Sequence, residues 1–309
     1  MEKQNTNNFT YPHARSEVSS DVVIFGYEPD NEIHLLLVRK RFSDSDTGGF
    51  TEWALPGSFI HGANEQNDIG KGKDSWEYGD GVESLGDSVR RALSITIDAK
   101  INENEFMKLP VWEYKPNDIN EEEWEEDWEF LPPRTDPRRD ERGKRVISLP
   151  VMVFVKMDRM KSYQEKLVRW VPVSMIEKDN PYYNSKEGRG EFKLPFDHPA
   201  MYYDGIERLR QIVRVQPIGR EILGKKFTIN QLLKFYEAIF GGAIEKTGFR
   251  KWLLDDSRKL IEELKNEYDR SSSNRPAQYY QFNNETYERL RRTKELGFNP
   301  TVTKKNRNI

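Results

Sequence analysis

Leu55-Pro56-Gly57-Ser58-Phe59, continued after an insertion by Glu83-Ser84-Leu85-Gly86-Asp87-Ser88-Val89-Arg90-Arg91, is the stretch that decides how this chain is to be read. Trp53-Ala54-Leu55 leads as a short strand into a Pro-Gly turn. Beyond the glycine- and charge-rich residues 63–82, Leu85, Val89, Ala92 and Leu93 recur at helical spacing and predict one apolar helix face. Glu83, Asp87 and Arg91 stand four apart; taken alone they are a surface ion-pair stripe, worth about 0.2–0.5 kcal/mol per pair. Glu83 and Asp87 would thus edge that helix with carboxylates. After Arg91, however, the chain reads Ala92-Leu93-Ser94-Ile95-Thr96-Ile97-Asp98.

The frame resembles the Nudix box, in which a glycine, a glutamate and an Arg-Glu pair precede two further glutamates. Gly57 takes the first position, and Glu83 stands seven intervening residues before Arg91. Ala92, Ile95 and Thr96 then fall on the three glutamate positions. Pyrophosphate hydrolysis on this frame needs clustered carboxylates for Mg²⁺, a hard cation that takes oxygen ligands and activates the attacking water. Alanine, isoleucine and threonine supply no such cluster. The resemblance therefore implies a retained fold, no catalytic residue, no metal and no cofactor.

Composition narrows the classes further. The 309 residues suit two domains, because single cores rarely grow past about 250–300 residues. No apolar run is long enough to span a bilayer, which points to a soluble cytoplasmic protein with no membrane partner. Zero cysteines exclude disulfides and thiolate metal sites, and the four histidines (His13, His34, His61, His198) lack the spacing of a zinc site. Charge is divided unevenly. From Pro217 onward there are 19 Lys+Arg against 12 Asp+Glu, leaving 30 against 40 in the rest. A basic back half is compatible with nucleic acid, although charge asymmetry between domains is common.

Along the front half, residues 1–18 are polar and read as a disordered N-terminus. Val22-Val23-Ile24-Phe25-Gly26-Tyr27 and Ile33-His34-Leu35-Leu36-Leu37-Val38-Arg39-Lys40, joined through Pro29-Asp30-Asn31, predict a hairpin of two buried strands. A further buried strand covers 146–155, its Pro150 suggesting an edge or bulge. Residues 170–173 are a short strand, and 201–214 a helix with Ile206, Leu209 and Val213 on one side. Insertions near 63–82 and 114–133 interrupt this domain. The second carries the acid block Glu121–Glu129, read as a solvated loop.

The back half opens on a helix ending at Gly241. Thr228 and Gln231 have capping-box spacing, and Phe227 and Leu232 have the spacing of a hydrophobic staple. After a turn at Gly241-Gly242, a second helix is predicted from about Glu245 to Leu254, with Phe249 and Leu253 inward and Lys246, Arg250 and Lys251 exposed. Residues 260–268 and 276–282, around the tip Asp269-Arg270-Ser271-Ser272-Ser273-Asn274-Arg275, are read as a β-hairpin wing. Leu260, Ile261, Leu264 and Tyr268 also fit a helix, so a small helical bundle is the alternative. Two short helices and a wing form a winged helix-turn-helix, whose second helix enters the DNA major groove.

Together these segments resemble the Nudix-related transcriptional regulators of bacteria. The degenerate box, Thr135-Asp136-Pro137-Arg138-Arg139-Asp140-Glu141-Arg142-Gly143-Lys144-Arg145, Leu194-Pro195-Phe196-Asp197-His198, and the run from Phe227 to Phe282 carry the match, over most of residues 20–290. The implied fold is α/β: a Nudix-type α/β/α sandwich with a mixed sheet at 19–216, a winged helix at 217–290 and a C-terminal tail at 291–309. What the resemblance implies functionally is a homodimer bound to double-stranded operator DNA. A small-molecule effector would act on the Nudix-like domain: ADP-ribose or a related nucleotide in one branch of the family, a pentose in another. For DNA the candidates are Lys246, Arg250, Lys251, Arg270 and Arg275. Arg250 is the best placed for a bidentate contact to guanine.

For the effector they are Trp53, Phe59, Arg139, Arg142, Arg145 and His198. The three arginines either clamp a phosphate or sugar or are tied up by Asp140 and Glu141. Trp53 and Phe59 either stack on a ring or belong to the core, and His198 with Asp197 equally suits a helix entry. Two rival functions stand beside the regulator. One is a metal-dependent Nudix hydrolase of nucleoside diphosphate-linked compounds that draws its ligands from Glu77, Asp80, Glu83 and Asp87. The other is an adaptor that binds a basic partner through its acid block.

Overall fold

The structure is a computed structural model and describes residues 17–27, 32–42, 50–60, 85–86, 88–89, 129–135, 145–157, 168–176, 192–271 and 276–304. Its first unit is a seven-stranded mixed sheet. Strands β1 (Glu17–Tyr27), β2 (Ile33–Phe42), β3 (Phe50–Ala54), β4 (Gly57–Phe59), β5 (Glu129–Phe130), β6 (Val146–Lys156) and β7 (Val168–Pro172) run in the order β3-β2-β1-β6-β5, with β4 beside β1 and β7 beside β2. Strands β1 and β6 are parallel over eleven paired residues; the other pairings are antiparallel.

The apolar runs predicted from sequence are apolar throughout because the sheet is covered on both faces. Side chains alternate across a strand, so one run feeds two cores. Val23 and Phe25 of β1, Leu35 and Leu37 of β2, and Met152 and Phe154 of β6 face one side. Val22, Ile24, Leu36, Val38, Val151, Val153 and Val155 face the other, where Leu85 and Val89 of the box pack against them. Leu85, Gly86, Ser88 and Val89 are helical, as their spacing predicts. The opposite layer is α1 (His198–Val215), which buries Met201, Gly205, Ile206, Leu209 and Val213. Its Pro199 falls in the first turn, where a missing N–H costs nothing.

Pro150 lies in a nearly marginal strand. On one side Pro150 stands opposite Asp21 of β1; on the other, β6 is covered by only the two residues of β5 and the Arg134–Ser148 bridge, and the Pro150 carbonyl accepts from Leu131 N–H at 2.9 Å. The first strand runs further back than its apolar part, starting at Glu17; residues 1–16 lie outside the described residues, as do 61–84 and 136–144 and nearly all of the acid block.

The second unit is a winged helix. After α2 (Arg220–Leu223), β8 (Phe227–Thr228) leads into α3 (Ile229–Phe240), β9 (Gly242–Ile244) and α4 (Lys246–Leu253). The wing is the hairpin of β10 (Ile261–Asp269) and β11 (Ala277–Phe282), and β8 completes its sheet in the order β10-β11-β8. The helical alternative for Leu260 to Tyr268 is therefore set aside. Gln278, whose side-chain amide donates to the carbonyls of Leu264, Glu267 and Tyr279, holds the hairpin together.

The capping box forms as its spacing predicts: Thr228 Oγ1 accepts from Gln231 N–H at 3.2 Å and Gln231 Oε1 from Thr228 N–H at 2.7 Å. Gly241 closes α3 in the left-handed region, at φ 67°. Gly242, expected in a turn, instead starts β9, because the chain beyond 290 is not a tail. There α5 (Asn284–Thr293) is followed by β12 (Val302–Lys304), which pairs with β9, and a Cβ on Gly242 would press on the Thr303 carbonyl at 2.7 Å. Leu296 and Phe298, read as tail residues, are buried because they fill an aromatic core built by Tyr236, Phe249 and Trp252.

The two units share one continuous core on the α1 side. Phe235 of α3 sits edge-on to Tyr27 at 5.0 Å and to Phe154 at 5.7 Å. Tyr236 Oη donates to the Ile218 carbonyl, and Arg210 of α1 donates to the Ile239 carbonyl at 3.0 Å.

Candidate nucleic-acid interface and effector site

Helix α4 is amphipathic for a simple reason. Phe249 and Leu253, four apart, are buried, while Lys246, Thr247, Gly248, Arg250 and Lys251 are exposed. Its N-terminal amides are capped by its own N-cap residue, for Glu245 accepts from Thr247 N–H at 2.7 Å and from Gly248 N–H at 2.5 Å. The Gly248 and Thr247 amides hold the Glu245 carboxyl below the usual glutamate range. Two of the amides at this helix end are therefore already bonded within the chain. The structure brings Lys246, Arg250 and Lys251 onto one exposed face, as predicted, and adds Thr247 to it. Arg270 is exposed at the base of the wing tip; Arg275 lies outside the described residues. The turns on either side are tied by carboxylates as well: Asp255 accepts from Ser257 and Asp269 from Ser271 N–H, and both carboxyls are held low by those bonds.

The effector candidates divide. Strand register places Trp53, Phe59 and Arg145 at one end of the sheet. Trp53 lies opposite Arg39 near the end of β2, Phe59 opposite Ser19 on one side of β1, and Arg145 just before Val146 on the other. The Arg145 side chain is exposed, and its carbonyl accepts from Glu17 N–H at 2.8 Å. Phe59 is 38 % exposed, whereas Trp53 is half-buried with its ring edge-on to Phe192 at 6.5 Å. Arg139 and Arg142 lie outside the described residues, as do Ala92, Ile95 and Thr96. Arg134 forms an ion pair with Asp204 of α1.

His198 belongs elsewhere. Only 2 % exposed, its Nδ1 accepts from Leu55 N–H at 3.1 Å while Nε2 stands 3.7 Å from Asp21 Oδ1. Asp21 also accepts from Ser148 Oγ at 2.5 Å, and Ser20 and Ser88 share a hydroxyl bond of 2.7 Å. This buried polar knot holds the box turn. Val22 N–H donates to the Pro56 carbonyl at 2.7 Å, and a Cβ on Gly57 would collide with the Asp21 carboxylate and the Ser20 carbonyl. Gly57 is thus needed for close approach of the turn to β1. Asp197 stands at the N-cap of α1 but makes no side-chain cap bond. Sequence reading missed the knot because it started the strand at Val22. The available signal was Ser19-Ser20-Asp21, a polar triplet directly preceding an apolar run.

Comparison with known proteins agrees with this division. Residues 219–282 match the family model described as the NrtR DNA-binding winged helix domain. The "ADPR responsive transcriptional repressor NtrR" of Acinetobacter baylyi is 26 % identical over 156 residues, 49 % of this chain and 54 % of the relative. The match thus spans about half the length of that relative. Among solved structures, Shewanella oneidensis NrtR complexed with a 27mer DNA superposes with TM-score 0.55 at 21 % identity, over 88 % of this chain and 95 % of that one. A MutT/nudix family protein from Enterococcus faecalis gives TM-score 0.55 at 19 % identity, covering 88 % of each chain. In fold and domain order the chain has the build of the Nudix-related transcriptional regulators, a Nudix-type sandwich followed by an NrtR-type winged helix.

Proposed function

We propose that this chain is a DNA-binding transcriptional regulator whose Nudix-like domain senses a small metabolite and does not hydrolyse it. The observation that carries the reading is the exposed cationic face of α4, set between a capped turn and a wing, within residues that match a DNA-binding winged helix domain. Arg250 is assigned to a base edge, Lys246 and Lys251 to phosphates, and Arg270 and Arg275 to the backbone or minor groove. A homodimer would present two copies of α4 about one helical turn of DNA apart. The effector is assigned to the end of the sheet that carries Trp53, Phe59 and Arg145, together with Arg139 and Arg142, while His198 serves the box turn. An ADP-ribose-like nucleotide leads, because the Acinetobacter relative is named as ADPR responsive, and pentoses are the second class. Ala92, Ile95 and Thr96 at the glutamate positions support the absence of catalysis. Among the described residues no helix is long and apolar enough to cross a membrane.

The test is fluorescence anisotropy with labelled duplexes tiling the DNA around its own gene, across a salt series, with and without ADP-ribose and common pentoses. Tight binding to one duplex that weakens steeply with salt and shifts with one ligand is the expected result. Binding to no duplex, with Mg²⁺-dependent breakdown of ADP-ribose, would overturn the reading in favour of the hydrolase. Effector control requires that the ligand favour one of two conformations, so a ligand that binds without shifting DNA affinity is not the effector.

A further inference from the structure

The matched winged helix ends at Phe282, yet the chain beyond it is built into both units. Leu296 N–H donates to the Val215 carbonyl and Phe298 N–H to the Arg214 carbonyl, each at 2.8 Å, and Arg214 donates to Asn299 Oδ1 at 3.3 Å. These bonds satisfy carbonyls at the C-terminal end of α1, which lack intrahelical partners. The Phe298 side chain points to the other unit. Buried at 2 % exposure, it lies 4.3 Å from the Trp252 ring, 5.1 Å from Tyr236 and 5.8 Å from Phe249. Further on, β12 pairs with β9, the strand that delivers the chain to the Glu245 cap of α4. On the outgoing side, Arg258 donates to the Leu296 carbonyl at 2.6 Å.

We infer that residues 294–304 form a strap that sets the orientation of α4 relative to α1, with Phe298 as its central positioning residue. An eight-residue helix is not stable alone, so its direction is whatever its contacts impose. The strap touches its underside at Phe249 and Trp252, the strand entering it and the turn leaving it, and fixes all three to the closing helix of the sandwich. The same α1 also holds Arg134 through Asp204. The inference rests on the proposed function only for its DNA readout.

The test compares full-length Phe298→Leu with Tyr287→Leu, a control that removes an equally buried aromatic ring of the same unit, one that packs on Phe282 under Arg220. Amide hydrogen exchange is read for residues 244–254, and duplex affinity by anisotropy. Phe298→Leu is expected to speed exchange across 244–254 at least tenfold, leave β1, β2 and β6 unchanged, and weaken duplex binding at least tenfold. Tyr287→Leu is expected to do neither at 244–254. Identical exchange patterns in the two variants, or no change at 244–254 in Phe298→Leu, would overturn the strap. Should the parent bind no duplex, the proposed function fails and the exchange comparison still decides the positioning role.

Discussion

His198→Ala separates a structural histidine from a ligand-binding one. Removing the imidazole leaves the Leu55 amide, buried and previously bonded at 3.1 Å, with no acceptor. An orphaned buried donor costs about 1–3 kcal/mol, and the neighbouring Asp21 carboxylate loses the ring beside it, so roughly 2–4 kcal/mol in total is expected. For a domain of this size each kcal/mol lowers the melting midpoint by about 2–4 °C, which gives a fall of roughly 5–15 °C. His198→Asn places an amide oxygen where Nδ1 was and should recover part of the loss. The assay is thermal unfolding by circular dichroism beside an ADP-ribose titration by calorimetry. A melting midpoint within 1 °C of the parent together with weakened ADP-ribose binding would refute the reasoning and return His198 to the effector contacts.

Three further outcomes concern α4 and its proposed role in DNA binding. Arg250→Ala should weaken duplex binding by about 1–3 kcal/mol, roughly five- to 150-fold, with ADP-ribose affinity unchanged; equal duplex affinity in both proteins would remove Arg250 from base contact. Lys246→Ala and Lys251→Ala should each lower the salt slope of binding by about 1 without changing the preferred duplex, as read from anisotropy across ionic strength. Glu245 contributes stability that is present above the ordinary glutamate range and lost as pH falls through its depressed folded value, so α4 should fray in acid. Hydrogen exchange of 246–253 against pH reads this, and an unchanged acid response in Glu245→Gln would count against the cap.

What the sequence disclosed and what it concealed follow physical lines. Thr228, Gln231 and Gly241 could be read because caps are local, set by residues three apart or by one left-handed glycine. The cationic face of α4 was legible from four-residue spacing alone. The β1 and β6 runs announced buried strands, but the parallel pairing between them is long-range and no local pattern encodes it. The Asp21–His198–Ser148 knot joins residues 127 and more positions apart, so each member looked like an ordinary polar residue. The strap failed for a related reason: Leu296 and Phe298 are isolated apolar residues among Gly297, Asn299 and Pro300, without the periodicity that marks an element.

Charge around the exposed face of α4 is more mixed than the basic total of the back half implies. Strand β10 exposes Glu262, Glu263 and Glu267 around a lone Lys265. Two of these are fixed: Glu262 accepts from Asn283 and Gln281, and Glu267 pairs with Lys226 at 3.0 Å. The exposed cations of α4 and Arg270 thus neighbour a strand whose exposed charge is mostly acidic. If the chain binds duplexes as proposed, like charge along the wing penalises approaches that lay β10 on phosphates and favours those that lead with α4. Such an arrangement gives up some sequence-independent affinity and keeps orientation, the component of recognition on which base reading depends. The carboxylate cap at Glu245 acts in the same direction. It occupies two amides of the helix N-terminus, so that under the proposed reading side chains, which can be matched to bases, would make more of the contact.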